Sequence, residues 1–282
     1  MSTNIDKVRL KMKRIETRLW NDGATRAVTF TFDDGRYEDY RLVELFNKYG
    51  IKGAFHLCNP GFLESCGYRD EKLVDPADYK KLYEGQEVSC HLQHHPFGKW
   101  TPTEALLEEA IANRKFLESL VGYPVRGMSY PFGSFDSRVI DILRAAGMEY
   151  SRTAKDTYSF GLPEDFMMWD PTCHFTEAES LLDKFFSPMN YDFMRAFYIW
   201  GHSYELWSEE RWADLERLLQ KLSGKDDVWY ATNIQIVEYM RAVRALRFSS
   251  ECDTVYNPSA VPVWLEADRE VFVAEPGKVT AL

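Results

Sequence analysis

The stretch Ala27-Val28-Thr29-Phe30-Thr31-Phe32-Asp33-Asp34-Gly35 constrains the fold more than any other. Val28 to Phe32 is β-branched and aromatic, the composition of a buried strand. It runs straight into two carboxylates and a glycine. Adjacent acids at the mouth of an apolar strand repel each other and lose hydration. A bound cation is the simplest compensation, with one carboxylate holding it and its neighbour free to act as a base. A plain Asp-Asp-Gly turn with both acids solvated is the competing reading.

Seven short strand-like runs are expected, at 28–32, 52–57, 87–90, 125–130, 148–152, 197–200 and 228–231. Helical spacing fills most of the gaps between them, as over 37–49, which Gly50 ends. Thr101-Pro102-Thr103-Glu104 has the form of a capping box for a helix reaching Val121, and Ser208 suits the N-cap of a helix to Leu222. This alternation predicts an α/β fold built on a mostly parallel sheet. Beyond residue 250 the texture changes, and Thr254 to Val273 reads as a small sheet broken at Asn257-Pro258 and Pro262. The expected division is a barrel with its N-terminal arm over 1–250 and a docked β extension over 251–282. Within the arm, Val8, Leu10 and Met12 alternate with cations, which reads as an edge strand.

Hydrophobic residues make up 45% of the 282, enough for a full core. The net charge of −10 argues against nucleic acid as a partner. No apolar run is long enough for a bilayer, and no apolar h-region follows the basic residues near the start. A cytoplasmic protein with five reduced cysteines and no membrane partner is therefore expected. Cys90, beside His91, reads better as a small buried apolar residue than as a ligand or nucleophile.

Four of the expected strands end in polar residues: Asp33-Asp34, His91, the segment around Pro131, and His202. In parallel α/β barrels the chemistry sits at those carboxyl ends. Three of the six histidines fall in His91-Leu92-Gln93-His94-His95-Pro96. His91 and His95 are four apart, so one helical turn would place both rings on one face. His94 competes as a ligand, but Pro96 restricts the backbone of His95 and favours it. Two imidazoles and one carboxylate form a hydrolytic metal site. His202 lies in Trp200-Gly201-His202-Ser203, where a strand end favours a general acid over a buried core histidine.

With these residues in place the chain resembles the polysaccharide deacetylase family, which shares the NodB homology domain (carbohydrate esterase family 4). Thr31-Phe32-Asp33-Asp34-Gly35 matches its first motif, and His91, His95 and Pro96 match its second. Pro131 and Gly133 match part of the third, and Ile199 with His202 matches the fifth. The resemblance implies a distorted (β/α)7 barrel and removal of acetyl groups from a carbohydrate. It implies Asp33 as general base, His202 as general acid, and Asp34, His91 and His95 as ligands of zinc or another divalent ion. It further implies an oxyanion donor at the Phe132 N–H and an acetyl pocket at Ile199, next to Trp200. A deacylase of a small N-acyl compound and a catalytically silent sugar-binding barrel are the alternatives.

Three departures from the pattern stand out. Ser129 replaces the arginine of the third motif, Leu92 follows His91, and the fourth motif appears only as Trp169-Asp170. Asp33 needs a cation beside it to stay ionised. Arg126 stands at the start of its strand, whereas Arg152 stands at the carboxyl end of the next one. Arg152 is thus the candidate replacement, with a solvated surface arginine as the other reading. His174 is a further candidate near the site.

Overall fold

The computed structural model describes residues 13–61, 72–188 and 194–282. Ala24–Val237 forms one compact unit; the segments 1–23 and 238–282 form another. The expected strand at Val8, Leu10 and Met12 lies outside the described residues, as does Cys66.

In chain order the strands are β1 (Ile15–Glu16), β2 (Arg26–Asp33), β3 (Gly53–Leu57), β4 (Glu87–Cys90), β5 (Gly127–Ser129), β6 (Tyr150–Arg152), β7 (Cys173–His174), β8 (Arg195–His202) and β9 (Val228–Tyr230). Then come β10 (Arg247–Phe248), β11 (Thr254–Tyr256), β12 (Val263–Ala267), β13 (Glu270–Ala274) and β14 (Val279–Ala281). The longer helices are α1 (Asp39–Tyr49), α2 (Thr103–Val121), α3 (Ser137–Ala145), α4 (Glu209–Leu222) and α5 (Asn233–Ala245).

The larger unit is a distorted, curled parallel barrel. Its sheet runs β6-β5-β4-β3-β2-β8-β7, with β9 also paired to β2. β2 is the axis of this sheet, and all eight of its residues are buried. Along one edge it pairs with the whole of β8. Along the other, Phe30–Asp33 meets β3 while Arg26–Val28 meets β9. Period-2 alternation then sorts the side chains. Thr29, Thr31 and Asp33 point into the barrel. Phe30 and Phe32 point outward, and both pack on Phe46 of α1, with centroids 5.1 and 6.0 Å away.

Sequence patterning missed β7, because two residues are too few to show a period. Its pairing with β8, together with a bridge between Arg152 and Trp169, links the two open edges of the sheet. Gly201 lets this happen: a Cβ there would stand 2.3 Å from the Phe175 ring. The helix expected to open with a capping box starts at Thr103 behind Pro102, with no side-chain cap. Thr101 Oγ1 donates instead to the Phe97 carbonyl at 3.0 Å.

The smaller unit holds two three-stranded antiparallel sheets, β1-β12-β13 and β10-β11-β14. The described part of the N-terminal arm therefore groups with the C-terminal strands and not with the barrel, because Ile15 and Glu16 pair with Ala267 and Glu266. Among the described residues no helix is long and apolar enough to cross a membrane, and Cys58, Cys90, Cys173 and Cys252 are free thiols. Cys90 is wholly buried in the core.

Candidate metal centre and active site

A cleft of about 890 Å³ opens over the carboxyl ends of the barrel strands, with Asp33, Asp34, His95, Phe132, Arg152, Trp200 and His202 on its walls. Asp34 is the first residue beyond β2 and has φ 79°. That left-handed conformation is strained for a residue with a Cβ. It turns Asp34 away from Asp33, so the two neighbouring acids serve different partners.

Asp34 Oδ1 lies 3.7 Å from His91 Nε2 and 3.7 Å from His95 Nε2. One ligand atom from each of these three residues falls within 4.8 Å of the others, the one such group that includes both histidines among the described residues. Donors about 2.0–2.1 Å from a tetrahedral zinc stand roughly 3.4 Å apart, so the spacing fits a divalent ion. The protonation states fit as well. Burial pushes both His91 and His95 down to about 4, leaving neutral imidazoles at pH 7. His91 Nδ1–H donates to the Ser129 carbonyl at 3.0 Å, which leaves the Nε2 lone pair facing Asp34. His94 is turned elsewhere, with its backbone N–H donating to Glu109 at 2.8 Å.

Asp33 is 3% exposed and Arg152 2%. Arg152 Nη2 donates to Asp33 Oδ2, and Ser129 Oγ donates to Asp33 Oδ1 at 3.1 Å. Burial alone would raise the Asp33 carboxyl. Arg152, and after it His91, more than offset this and hold it well below the usual carboxylate range. Arg126, at the other end of its strand, pairs with Glu149 at 3.3 Å.

His202 ends β8 directly beside Asp33 in register. Its Nδ1 lies 3.5 Å from Glu205 Oε1, and its backbone N–H donates to Glu205 Oε2 at 3.1 Å. His174 Nε2 donates to the same carboxylate at 2.7 Å. Burial lowers the His202 imidazole, but Glu205, then Asp33 and Asp34, raise it by more, so it lies above the ordinary value. Glu205 escaped the sequence reading, although it follows His202 by three residues. The 203–205 turn folds it back onto that histidine.

Phe132 has φ 56° in the tight turn after β5. Its ring meets His95 edge-on at 4.4 Å and stacks on Phe97 at 3.9 Å. Two expected site residues lie elsewhere. Ile199 is buried in the hydrophobic core, because strand alternation sends it to the face opposite Trp200 and His202. Trp169 packs inside the barrel against Tyr198, 4.3 Å away, and is 1% exposed. Asp170 receives the Thr153 hydroxyl and lies 3.3 Å from Lys155, so Glu205 is the carboxylate beside His202.

Residues 21–151 match the family model described as polysaccharide deacetylase. This segment, a little under half of the chain, resembles the polysaccharide deacetylase family. Solved structures extend the likeness over most of the chain at the level of fold. A candidate polysaccharide deacetylase from Mycobacterium smegmatis superposes with a TM-score of 0.56 at 18% identity, covering 80% of this chain and 93% of its own. A mutant of a carbohydrate esterase family 4 pseudoenzyme, known from Bacillus anthracis, gives 0.52 at 17%, covering 75% and 67%. The chitin deacetylase of Colletotrichum lindemuthianum gives 0.51 at 14%, covering 76% and 87%. No curated protein sequence matches the chain. The barrel thus carries two acids and two histidines at one mouth, while Arg152 supplies the cation at Asp33 and Ser129 stands between Asp33 and His91.

Proposed function

We propose that this protein is a metal-dependent deacetylase that hydrolyses the N-acetyl (or O-acetyl) groups of a carbohydrate. One observation carries the reading. An ionised, arginine-held Asp33 and a carboxylate-held His202 border the same three-ligand cluster.

Asp34, His91 and His95 would hold the divalent ion, zinc being the ion that suits two imidazoles and a carboxylate. When bound, it supplies Lewis-acid polarisation of the acyl carbonyl. Asp33 takes the proton of the attacking water, and Arg152 keeps its carboxylate ionised and aimed. The Phe132 N–H would steady charge that develops on the carbonyl oxygen. His202 delivers a proton to the departing amine, which leaves poorly without one; Glu205 keeps the imidazole charged and oriented. Free amine and acetate are the products.

Exposed aromatic rings favour a sugar over a small N-acyl compound. Tyr37 and Tyr204 on the cleft wall are 53% and 43% exposed, and Phe132 is 55% exposed. Flat apolar faces bearing polar rims suit the C–H faces of pyranose rings. Retention of both Asp33 and His202 supports an active enzyme over a silent binding barrel. The test is acetate release from N-acetylated chito-oligosaccharides by zinc-loaded protein, alongside Asp33→Asn. The variant should keep its metal and lose about 10²–10⁴ in rate. No acetate from the wild type, or equal rates for both proteins, would refute the proposal.

A further inference from the structure

The segment carrying both imidazole ligands is strained. Leu92 has φ 60° and His95 φ 52°, both left-handed. Non-glycine residues hold such angles only where their surroundings over-determine them. Leu92 offers no polar group to steady the loop, and its side chain is buried in the core.

The grip comes from α2. Asn113 is fully buried and accepts the His91 N–H at 3.0 Å, while its own amide donates to the Leu57 carbonyl at 3.1 Å. One turn earlier on the same helix face, Glu109 accepts the His94 N–H at 2.8 Å through Oε2, and its Oε1 takes the His94 ring Nδ1–H. The Glu109 side chain is 14% exposed. Asn113 thus fixes the first ligand directly, and Glu109 fixes the residue next to the second. The Glu109 clamp ties down both the backbone and the ring of His94, so the chain enters His95 at one angle only.

We propose that Glu109 is a positioning residue for the metal site. It holds the 91–95 loop in the strained form that brings His91 and His95 to Asp34. This rests on the reading that these three residues bind a divalent ion. Outer partners of this kind typically change metal affinity by about 10–100-fold when removed.

The experiment is a chelator-competition titration of Zn²⁺ into apo protein, for wild type, Glu109→Ala, Glu109→Gln and Glu108→Ala. Thermal unfolding of each apo form is measured in parallel. Glu108 is an exposed neighbour on the same helix and controls for the loss of charge alone. Glu109→Ala should bind zinc about 10–100-fold more weakly. Glu109→Gln should recover part of the loss, since its carbonyl still accepts the His94 N–H. Glu108→Ala should match the wild type. Affinity of Glu109→Ala within about threefold of wild type, or an equal drop in Glu108→Ala, would overturn the assignment. If Glu109→Ala does not fold, Glu109→Leu, which fills the same space but accepts neither His94 bond, is titrated instead, and affinity within about threefold of wild type has the same consequence. A wild type that takes up no stoichiometric zinc would overturn the metal reading itself, and this inference with it.

Discussion

Arg152 donates to Asp33 from four strands away in the sheet order. The curl of the sheet brings the end of β6 across the barrel mouth to the end of β2. Ser129, on the intervening β5, completes the cradle by donating to the other oxygen of Asp33 and lying 2.7 Å from the His91 ring. Arginine and serine together thus hold the Asp33 carboxylate, and the arginine comes from a strand later than the family pattern suggests.

Arg152→Ala should therefore lower the deacetylation rate roughly a hundredfold, within the range for disabling a general base. Zinc content should stay at one per chain, because Arg152 touches Asp33 and not the ligand set. Arg126→Ala should do little. Rates measured with metal analysis on the same samples decide this, and a large defect in Arg126→Ala alone would contradict it.

Glu205→Gln should move the alkaline limb of the kcat/KM profile to lower pH. The acid must be protonated to work, and Glu205 is the largest influence raising His202 against burial. Without that negative charge the imidazole loses its proton sooner, so activity falls off earlier as pH rises. A pH–rate profile with an unmoved limb would show that His202 is not the group being titrated.

Metal retention should extend to unusually acid solution. Ordinary histidine ligands meet proton competition below about 6.5. Burial holds His91 and His95 at about 4, so bound zinc should survive from pH 7 to about pH 5 and be lost as the pH approaches 4. Zinc release followed by a colorimetric chelator at graded pH checks the onset.

Asp39→Asn should stabilise the protein at neutral pH. Asp39 is fully buried, and burial pushes its carboxyl up to about 7. The folded value lies above the unfolded one, near 3.9. Its contribution is therefore fully present below about pH 4 and is lost as the pH rises towards 7, at up to about 1.4 kcal/mol per pH unit. Asparagine still accepts the Tyr83 hydroxyl, which lies 2.7 Å from Asp39 Oδ2, and never ionises. Thermal unfolding should show a higher Tm for the variant at pH 8 than for wild type, with the gap narrowing at pH 5 and closing near pH 4. A constant gap would exclude Asp39 as its source.

Local sequence determined the strand–helix order, the Asp33-Asp34 pair at a strand end, and the His91 and His95 spacing. These rest on periodicity and backbone sterics, which act over a few residues. The same patterning could not phase every side chain. Ile199 and Trp200 are neighbours, yet only the observed alternation along β8 decides that Trp200 and not Ile199 faces the cleft. Contacts distant in sequence were beyond it. Ile15 pairs with Ala267, and Glu109 reaches His94 across a helix start. Arg152 stood at the right end of its strand, but only the closure of the sheet through β7 and Trp169 decides that its guanidinium meets Asp33. Strand ends are set by nearby residues; which ends converge is set by sheet curvature, which no short window of sequence contains.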